Sequence, residues 1–272
     1  MDRSPATLSS AFPRLDFRLL DGHAQLAVAE AAGSGAPRPV KVTEIIAASF
    51  VLSEGSATRP IDLDTARHIT AAGREWLLQR TALQFYDCPE WFEAPCTACG
   101  ARFDLKLSIG DIPRTGPGSG FPVAEVQTGL GKRYFESPNG AHEEAIALNP
   151  DRDPRRLIAA QCGLSEDAEA EASQFTDTEL DAIETALEAI SPDIADGVVV
   201  TCPECGCAAD TRIDPLAFAF PRPVDVLQEV HLVARAYRWS ENAILNLPLT
   251  RRHAYAELIA RDSRTGRQRR AH

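Results

Sequence analysis

The sequence predicts an α+β fold: a knuckle-based β unit, a long α/β insertion within it, and a helical unit that closes the chain. Three observations carry this. "CTACG" at 96–100 and "CPECG" at 202–206 are near copies, and both sit among β-type stretches. Between them, a hairpin pattern gives way to capped amphipathic helices. From residue 223 onward the chain keeps a helical period.

Residues 1–40 read as a loosely organised N-terminal segment and linker. Within it, "DFRLLDGHAQLAVAE" fits a strand pair turning at Asp21-Gly22 or a short helix, and "AAGSGAPRP" is a linker by composition. From Val40, "VKVTEIIAASFVLSEG" is rich in β-branched residues and predicts a strand or two. "RPIDLDTARHITAAGREWLLQR" predicts one helix capped by Asp62 or Asp64, with Ala66, Ile69, Ala72 or Gly73, and Trp76 on its apolar face. Phe103, Leu105 and Leu107 then alternate with Arg102, Asp104 and Lys106, which predicts a half-buried strand leaving the first cysteine pair.

"PRTGPGSGFP" predicts a flexible loop, and "VAEVQTGLGKRYFES" a hairpin turning at Gly129-Leu130-Gly131. Asp153 and Pro154 form an N-cap and first-position pair for a helix that Gly163 closes. Thr176 and Glu179 form a capping box before Leu180, Ile183, Leu187 and Ile190, and Pro192 stops that helix. "DGVVVTCPECGCAADTRID" returns to strands. Residues 223–239 predict a helix with Leu227, Val230, Ala234 and Tyr237 on one face. Ser240 caps a short helix, Pro248 interrupts, and Thr250 caps a last helix carrying Tyr255, Leu258 and Ile259.

The domains expected from this are an N-terminal segment (1–40), a zinc-knuckle α+β domain (41–220) with an insertion at about 113–195, a C-terminal helical unit (221–262) and a basic tail (263–272). The formal charge of −11 argues against a general nucleic-acid binder, which needs a basic face. The end is the exception: "RDSRTGRQRRAH" holds five Arg and one Asp, read as a solvated end with the option of touching an acidic surface. No secretory signal or membrane-spanning apolar run is visible, so the expected location is cytoplasmic.

Seven cysteines in such a chain, four of them in two C-x-x-C pairs, point to metal binding rather than a disulfide framework. In a knuckle, two thiolates converge on the ion, backbone amides point at the sulfurs, and the following Gly supplies the positive φ the turn needs. Zinc takes four ligands, so two knuckles make one closed structural site: Cys96, Cys99, Cys202 and Cys205. A compact zinc ribbon has about 15–20 residues between its pairs. Here residues 100–201 intervene, which requires an insertion whose ends return to one place. Rival readings are two three-thiolate sites that recruit Cys88 and Cys207, a redox C-x-x-C, or unligated cysteines. Cys162 reads as a small core residue.

No catalytic constellation is expected. "TGPGSG" at 115–120 and "GLGK" at 129–132 do not make a phosphate loop, since neither lies between a strand and a helix. His23, His68, His142, His231, His253 and His272 are scattered, with no H-E-x-x-H pair; His231 reads as buried and satisfied. The acidic run at 165–181 reads as a solvated loop and helix face.

The C-terminal run "LQEVHLVARAYRWSENAILNLPLTRRHAYAELI" resembles the end of a baseplate-associated family of contractile phage tails and extracellular contractile injection systems, related to a T-even phage tail-hub baseplate protein. "VTCPECGCAADTRIDPLAFAF" is similar to that family's second knuckle, "APCTACGARFDLKLSI" to its first, and "SPNGAHEEAIAL" to its polar turn and helix. The similarity covers roughly residues 75–260, weakest at 110–125 and 163–176. Only the four cysteines carry over. The resemblance implies a non-enzymatic structural or assembly protein with other baseplate or tail-hub proteins as partners, and no small-molecule substrate or membrane. In that setting Trp239, Tyr255, Leu258 and Ile259 would anchor a partner or pack on their own domain. The alternative reading is a cytosolic zinc-ribbon adaptor in a transcription-related or other complex.

Overall fold

The computed structural model describes residues 11–55, 57–86, 88–112, 116–118, 120–192 and 197–270, with side chains described as far as residue 262. Helices surround small antiparallel sheets, the expected α+β class. The chain opens with β1 (Leu15–Phe17), α1 (Gly22–Gly33), α2 (Arg38–Ser49), β2 (Phe50–Glu54), β3 (Ala57–Pro60), α3 (Leu63–Arg67) and α4 (Ala71–Phe85). The three strands form one antiparallel sheet in chain order. Val28, Val42, Ile45, Ile46, Phe50, Leu77 and Leu78 fill a common core.

Of the two readings of "DFRLLDGHAQLAVAE", the helix is the one present from Gly22: Asp21 caps α1 by accepting from the Ala24 amide at 2.8 Å. Two other expectations for this stretch are corrected. "VKVTEIIAAS" is α2, and the strand begins only at Phe50. Val42, Ile45, Ile46 and Ser49 bury one helical face, so the 3.6-residue period overrides the β-branched composition. The single helix expected from Asp62 is two. Asp62 caps α3 and Thr70 caps α4. The break is tertiary: Ala71 N–H donates to Pro138 C=O at 2.8 Å and Gly140 N–H to Ile69 C=O at 3.3 Å, which keeps the backbone extended there.

The chain continues through β4 (Glu90–Pro95), β5 (Arg102–Leu107), β6 (Val123–Thr128), β7 (Gly131–Glu136), α5 (Gly140–Ala147), α6 (Pro154–Cys162), α7 (Ala168–Gln174), α8 (Asp177–Ile190), β8 (Gly197–Thr201) and β9 (Ala208–Arg212). β4–β5, β6–β7 and β8–β9 are separate antiparallel hairpins. The expected alternation of β5 holds, with Phe103 and Leu105 half-buried and Leu107 buried between exposed neighbours. Between the two knuckle hairpins, β6–β7 packs with α6, α7 and α8 around Val126, Phe135, Phe175 and Ile183. Asp153 and the Thr176–Glu179 box cap their helices as expected. Residues 113–115 and 193–196, where the insertion was expected to begin and end, lie outside the described residues.

A buried ionic cluster ties this middle region to the N-terminal helices. Arg74, almost fully buried, donates to Glu143 (2.9 Å), Thr43 (3.0 Å), and the carbonyls of Ala66 (2.9 Å) and Pro39 (2.6 Å). Glu144 accepts from Arg67 at 2.8 Å, and Arg38 bridges Glu75 and Asp214. Burial pulls the Arg74 guanidinium down and pushes the Glu143 carboxyl up. Gly140 makes the approach feasible, because a Cβ there would overlap the Arg74 guanidinium.

The chain closes with α9 (Pro223–Tyr237), α10 (Glu241–Leu245) and α11 (Leu249–Arg270). These pack on one another around Val230, Val233, Ile244 and Leu245, and against α1. α9 buries Val226, Val230 and Val233, while Leu227 and Tyr237 are exposed, so the apolar face is rotated from the one expected. Thr250 is not the cap of α11: the helix begins before it, at Leu249, with Arg252 N–H donating to Pro248 C=O at 3.1 Å. Residues 263–270 continue that helix; the side chains of the expected basic tail lie outside the described residues.

Candidate metal centre

Each C-x-x-C turn is the tip of a hairpin. β4 and β5 end their register at Pro95 and Arg102, and β8 and β9 at Thr201 and Ala208. The tips are built alike. Cys96 N–H donates to Ala101 C=O (2.8 Å) and Gly100 N–H to Cys96 C=O (2.8 Å). In the second turn Cys202 N–H donates to Cys207 C=O (2.9 Å) and Gly206 N–H to Cys202 C=O (2.9 Å). Gly100 and Gly206 have φ of +75° and +72°, a conformation that favours glycine. Beneath the tips, Leu107, Ile112 and Ile213 form a small core with Phe92, Leu105, Val198 and Phe218, and this core brings the hairpins together.

The four sulfurs meet. Cys96 Sγ lies 3.7 Å from Cys205 Sγ, and Cys99 Sγ lies 3.8 Å from Cys202 Sγ. All four lie within 4.8 Å of one another, close enough to hold a metal ion. The spacing has a direct physical reading: a tetrahedron with metal–sulfur bonds of about 2.3 Å has edges of about 3.8 Å. Disulfide sulfurs would be at about 2.05 Å. The first cysteine of each pair is buried and the second exposed, which makes the site two-fold alike.

The knuckle amides and the crowding of the sulfurs act in opposite directions on the thiols. The Cys96 thiol is brought down to about 7, first by the Cys99 amide and then by that of Ala98. The Ala101 amide acts likewise on Cys99, and the Cys207 amide on Cys205, but the crowded sulfurs leave both of those thiols raised. A cation removes that conflict, because a coordinating thiol is held deprotonated.

Cys88 and Cys207 are exposed and stand outside the four-sulfur group, so the geometry does not assemble two three-thiolate sites. Cys207 instead supplies the backbone carbonyl that closes its knuckle. Cys162 is fully buried, 3.5 Å from His142 Nδ1, and His142 Nε2 lies 3.2 Å from Glu136. That line of Cys, His and carboxylate is not a poised nucleophile, since burial first and then Glu136 push the Cys162 thiol up to about 12. Its expected place in the core is where it sits. His231 is exposed, contrary to the buried position expected. Gly129 of "GLGK" caps a hairpin turn and donates its amide to Glu179; residues 115 and 119 of "TGPGSG" lie outside the described residues.

Like the Arg74 cluster, a second polar group has no local signal in the sequence. Glu229 accepts from Arg252 (3.1 Å) and pairs with His253 (2.6 Å), while the fully buried Arg252 also donates to Gln25. The partners are too far apart in sequence for any local pattern to expose them; the adjacent "RRH" of 251–253 was the only hint. Among the described residues, no helix is long and apolar enough to cross a membrane. No protein-family model matches the chain, and neither a curated protein nor a solved structure is significantly similar to it.

Proposed function

We propose that the four cysteines hold one structural zinc ion, and that the protein is a non-enzymatic component or assembly factor of a contractile-tail baseplate. The observation that carries the metal reading is the pairing of Cys96 with Cys205 and Cys99 with Cys202 at 3.7 and 3.8 Å. Four thiolates around a tetrahedral ion leave no open position for water or substrate, so the ion's work is mechanical. It joins two hairpins whose intervening chain folds against the N-terminal helices, and thus fixes both ends of that region to one point.

The baseplate reading rests on the resemblance of the C-terminal run. What supports it further is that this run forms α9–α11, with Tyr237, Trp239 and Leu258 exposed on a unit that is anchored to α1. Tyr237, Trp239 and Tyr255 pack ring to ring at 5.2–5.5 Å, a rigid aromatic surface suited to docking. Two measurements test the proposal separately. Elemental analysis of the purified chain should give one zinc per chain. Expression alongside the sheath, tube, spike and baseplate proteins of a contractile tail should give co-purification with the baseplate proteins, and Cys96→Ser with Cys202→Ser should abolish particle assembly. Normal particles from that variant overturn the assembly role, and a metal-free chain overturns the zinc site.

A further inference from the structure

Residues 165–190 hold nine Asp and Glu and no Lys or Arg. Four of these acids lie on α8 as Asp177, Asp181, Glu184 and Glu188. Their spacing of four, three and four places them on one face of the helix. Beside this stripe α8 buries Leu180, Ile183 and Leu187. Arg155 answers Asp181 and Glu184, while Glu188 is exposed and has no ion pair among the described residues. Where the stripe meets the apolar face lies a groove of about 220 Å³, lined by Pro138, Ile158, Glu184, Leu187, Glu188 and Ser191. Both charged groups of that lining are carboxylates, and the Ser191 hydroxyl faces that of Ser137 at 3.3 Å.

Positive charge is concentrated at α11. This helix packs on α9 and α1, and Ile259 is the last residue it sends into that core. It runs on to Arg270, and Arg261, Arg264, Arg267 and Arg270 recur at every third position. Arg261 is exposed and pairs with Glu257 at 3.7 Å, a surface contact that is readily exchanged. The arginine row spans about 14 Å and the acidic stripe about 16 Å, at 1.5 Å per helical residue.

We infer that the arginine row of α11 in one copy of the chain docks on the acidic stripe and groove of α8 in a second copy. The two faces match in charge, in length and in ridge spacing. A row at every third residue packs between rows at every fourth, which on α8 are Asp177–Asp181 and Glu184–Glu188. An arginine stem covers Ile158 and Leu187, and its guanidinium reaches the carboxylates. The two faces differ, so the contact is head-to-tail, and each pair of copies keeps one open face of each kind for a further copy. A nucleic acid is the poorer occupant, because a phosphate strand longer than the arginine row runs onto a chain of net charge −11. The inference rests on neither the zinc nor the baseplate reading, since it uses neither the cysteines nor the aromatic surface.

The test is sedimentation of the full chain over a range of concentrations. At low salt one chain should associate reversibly into two or more, and about 0.5 M salt should weaken this at least about tenfold. Glu184→Lys with Glu188→Lys should leave a monomer, and so should Arg264→Glu with Arg267→Glu. A thermal melt checks that each variant is folded; Glu188→Lys alone, which disturbs no ion pair of α8, replaces the first if it is not. The two reversed variants mixed in equal amounts should associate again, because the charges of both faces are then reversed together. A monomer at every concentration overturns the self-association. Association that survives either reversal, or a mixture of the two that stays monomeric, overturns the assigned faces. A monomer that binds a labelled oligonucleotide, and loses it in Arg264→Glu with Arg267→Glu, overturns the second copy as occupant and gives the helix to nucleic acid.

Discussion

Cys96 Sγ and Cys205 Sγ lie 3.7 Å apart although 109 positions separate them in the chain. That distance is longer than a disulfide and matches one edge of a tetrahedral thiolate site, so the two hairpins are placed for a shared ion rather than for a covalent bond.

Removal of one sulfur should therefore undo both hairpins together. Cys99→Ser or Cys202→Ser is expected to reduce bound metal from one ion per chain to a small fraction, and Cys88→Ser or Cys207→Ser to leave it unchanged. In zinc-finger peptides the ion contributes on the order of 10 kcal/mol to folding. A chelator should accordingly lower the melting temperature of the wild type strongly and that of Cys202→Ser hardly at all. Calorimetry with metal analysis on the same samples decides this.

The two knuckle glycines should respond equally. Gly100 and Gly206 have positive φ, and a Cβ at either would meet nothing within 4 Å. The cost of Gly→Ala is then backbone strain alone, about 1–2 kcal/mol. Asn, which tolerates this conformation, should recover part of it. Competition with a coloured chelator should show the same loss of metal affinity for Gly100→Ala and Gly206→Ala; a loss at one position only would mean the hairpins are not equivalent.

The parts legible in the sequence were those with local causes. Thr176 and Glu179 announced their helix because a capping box is a four-residue event, and Phe103, Leu105 and Leu107 announced a strand because half-burial repeats every second residue. The four cysteines were legible because their chemistry admits few other uses. What failed was weighed wrongly or was not local. In 42–49 the β-branched composition points to a strand while the spacing of Val42, Ile45, Ile46 and Ser49 points to a helix, and burial of that one face makes the spacing decisive. The break at Ile69-Thr70 was hidden, because its cause is a backbone exchange with residues 138–140. Arg74 carries no local sign of burial; its burial follows from Glu143 and Gly140, about 70 residues downstream.

That burial makes Arg74 a sensitive position. Arg74→Met would leave Thr43, two carbonyls and Glu143 without their donor, and breaking a buried ion pair from one side costs about 3–5 kcal/mol. Gly140→Ala approaches the same cluster from the opposite side and should cost about 1–3 kcal/mol by overpacking. Urea titrations should show both losses. The double variant should lose less than the sum, because Met at 74 removes the group that the Ala methyl would strike.

Glu179 offers a pH test away from the metal. Its carboxylate accepts the Gly129 amide in the β6–β7 turn and the Thr176 amide and hydroxyl at the start of α8. These bonds, the Gly129 amide first, hold its pKa below the usual carboxylate value. A folded-state pKa that is depressed contributes stability above the unfolded value, and that contribution is lost as pH falls through the folded one. Wild type should therefore lose stability on acidification below about pH 4.3, the ordinary glutamate value, by a component that Glu179→Gln lacks. At neutral pH the variant should be the less stable of the two, and the difference should narrow in acid. Hydrogen exchange locates the effect: at neutral pH the Gly129 amide should exchange faster in Glu179→Gln, while amides in the four-cysteine hairpins keep their rates. Identical acid slopes for the two proteins would mean that the bonds to Glu179 do not persist in solution.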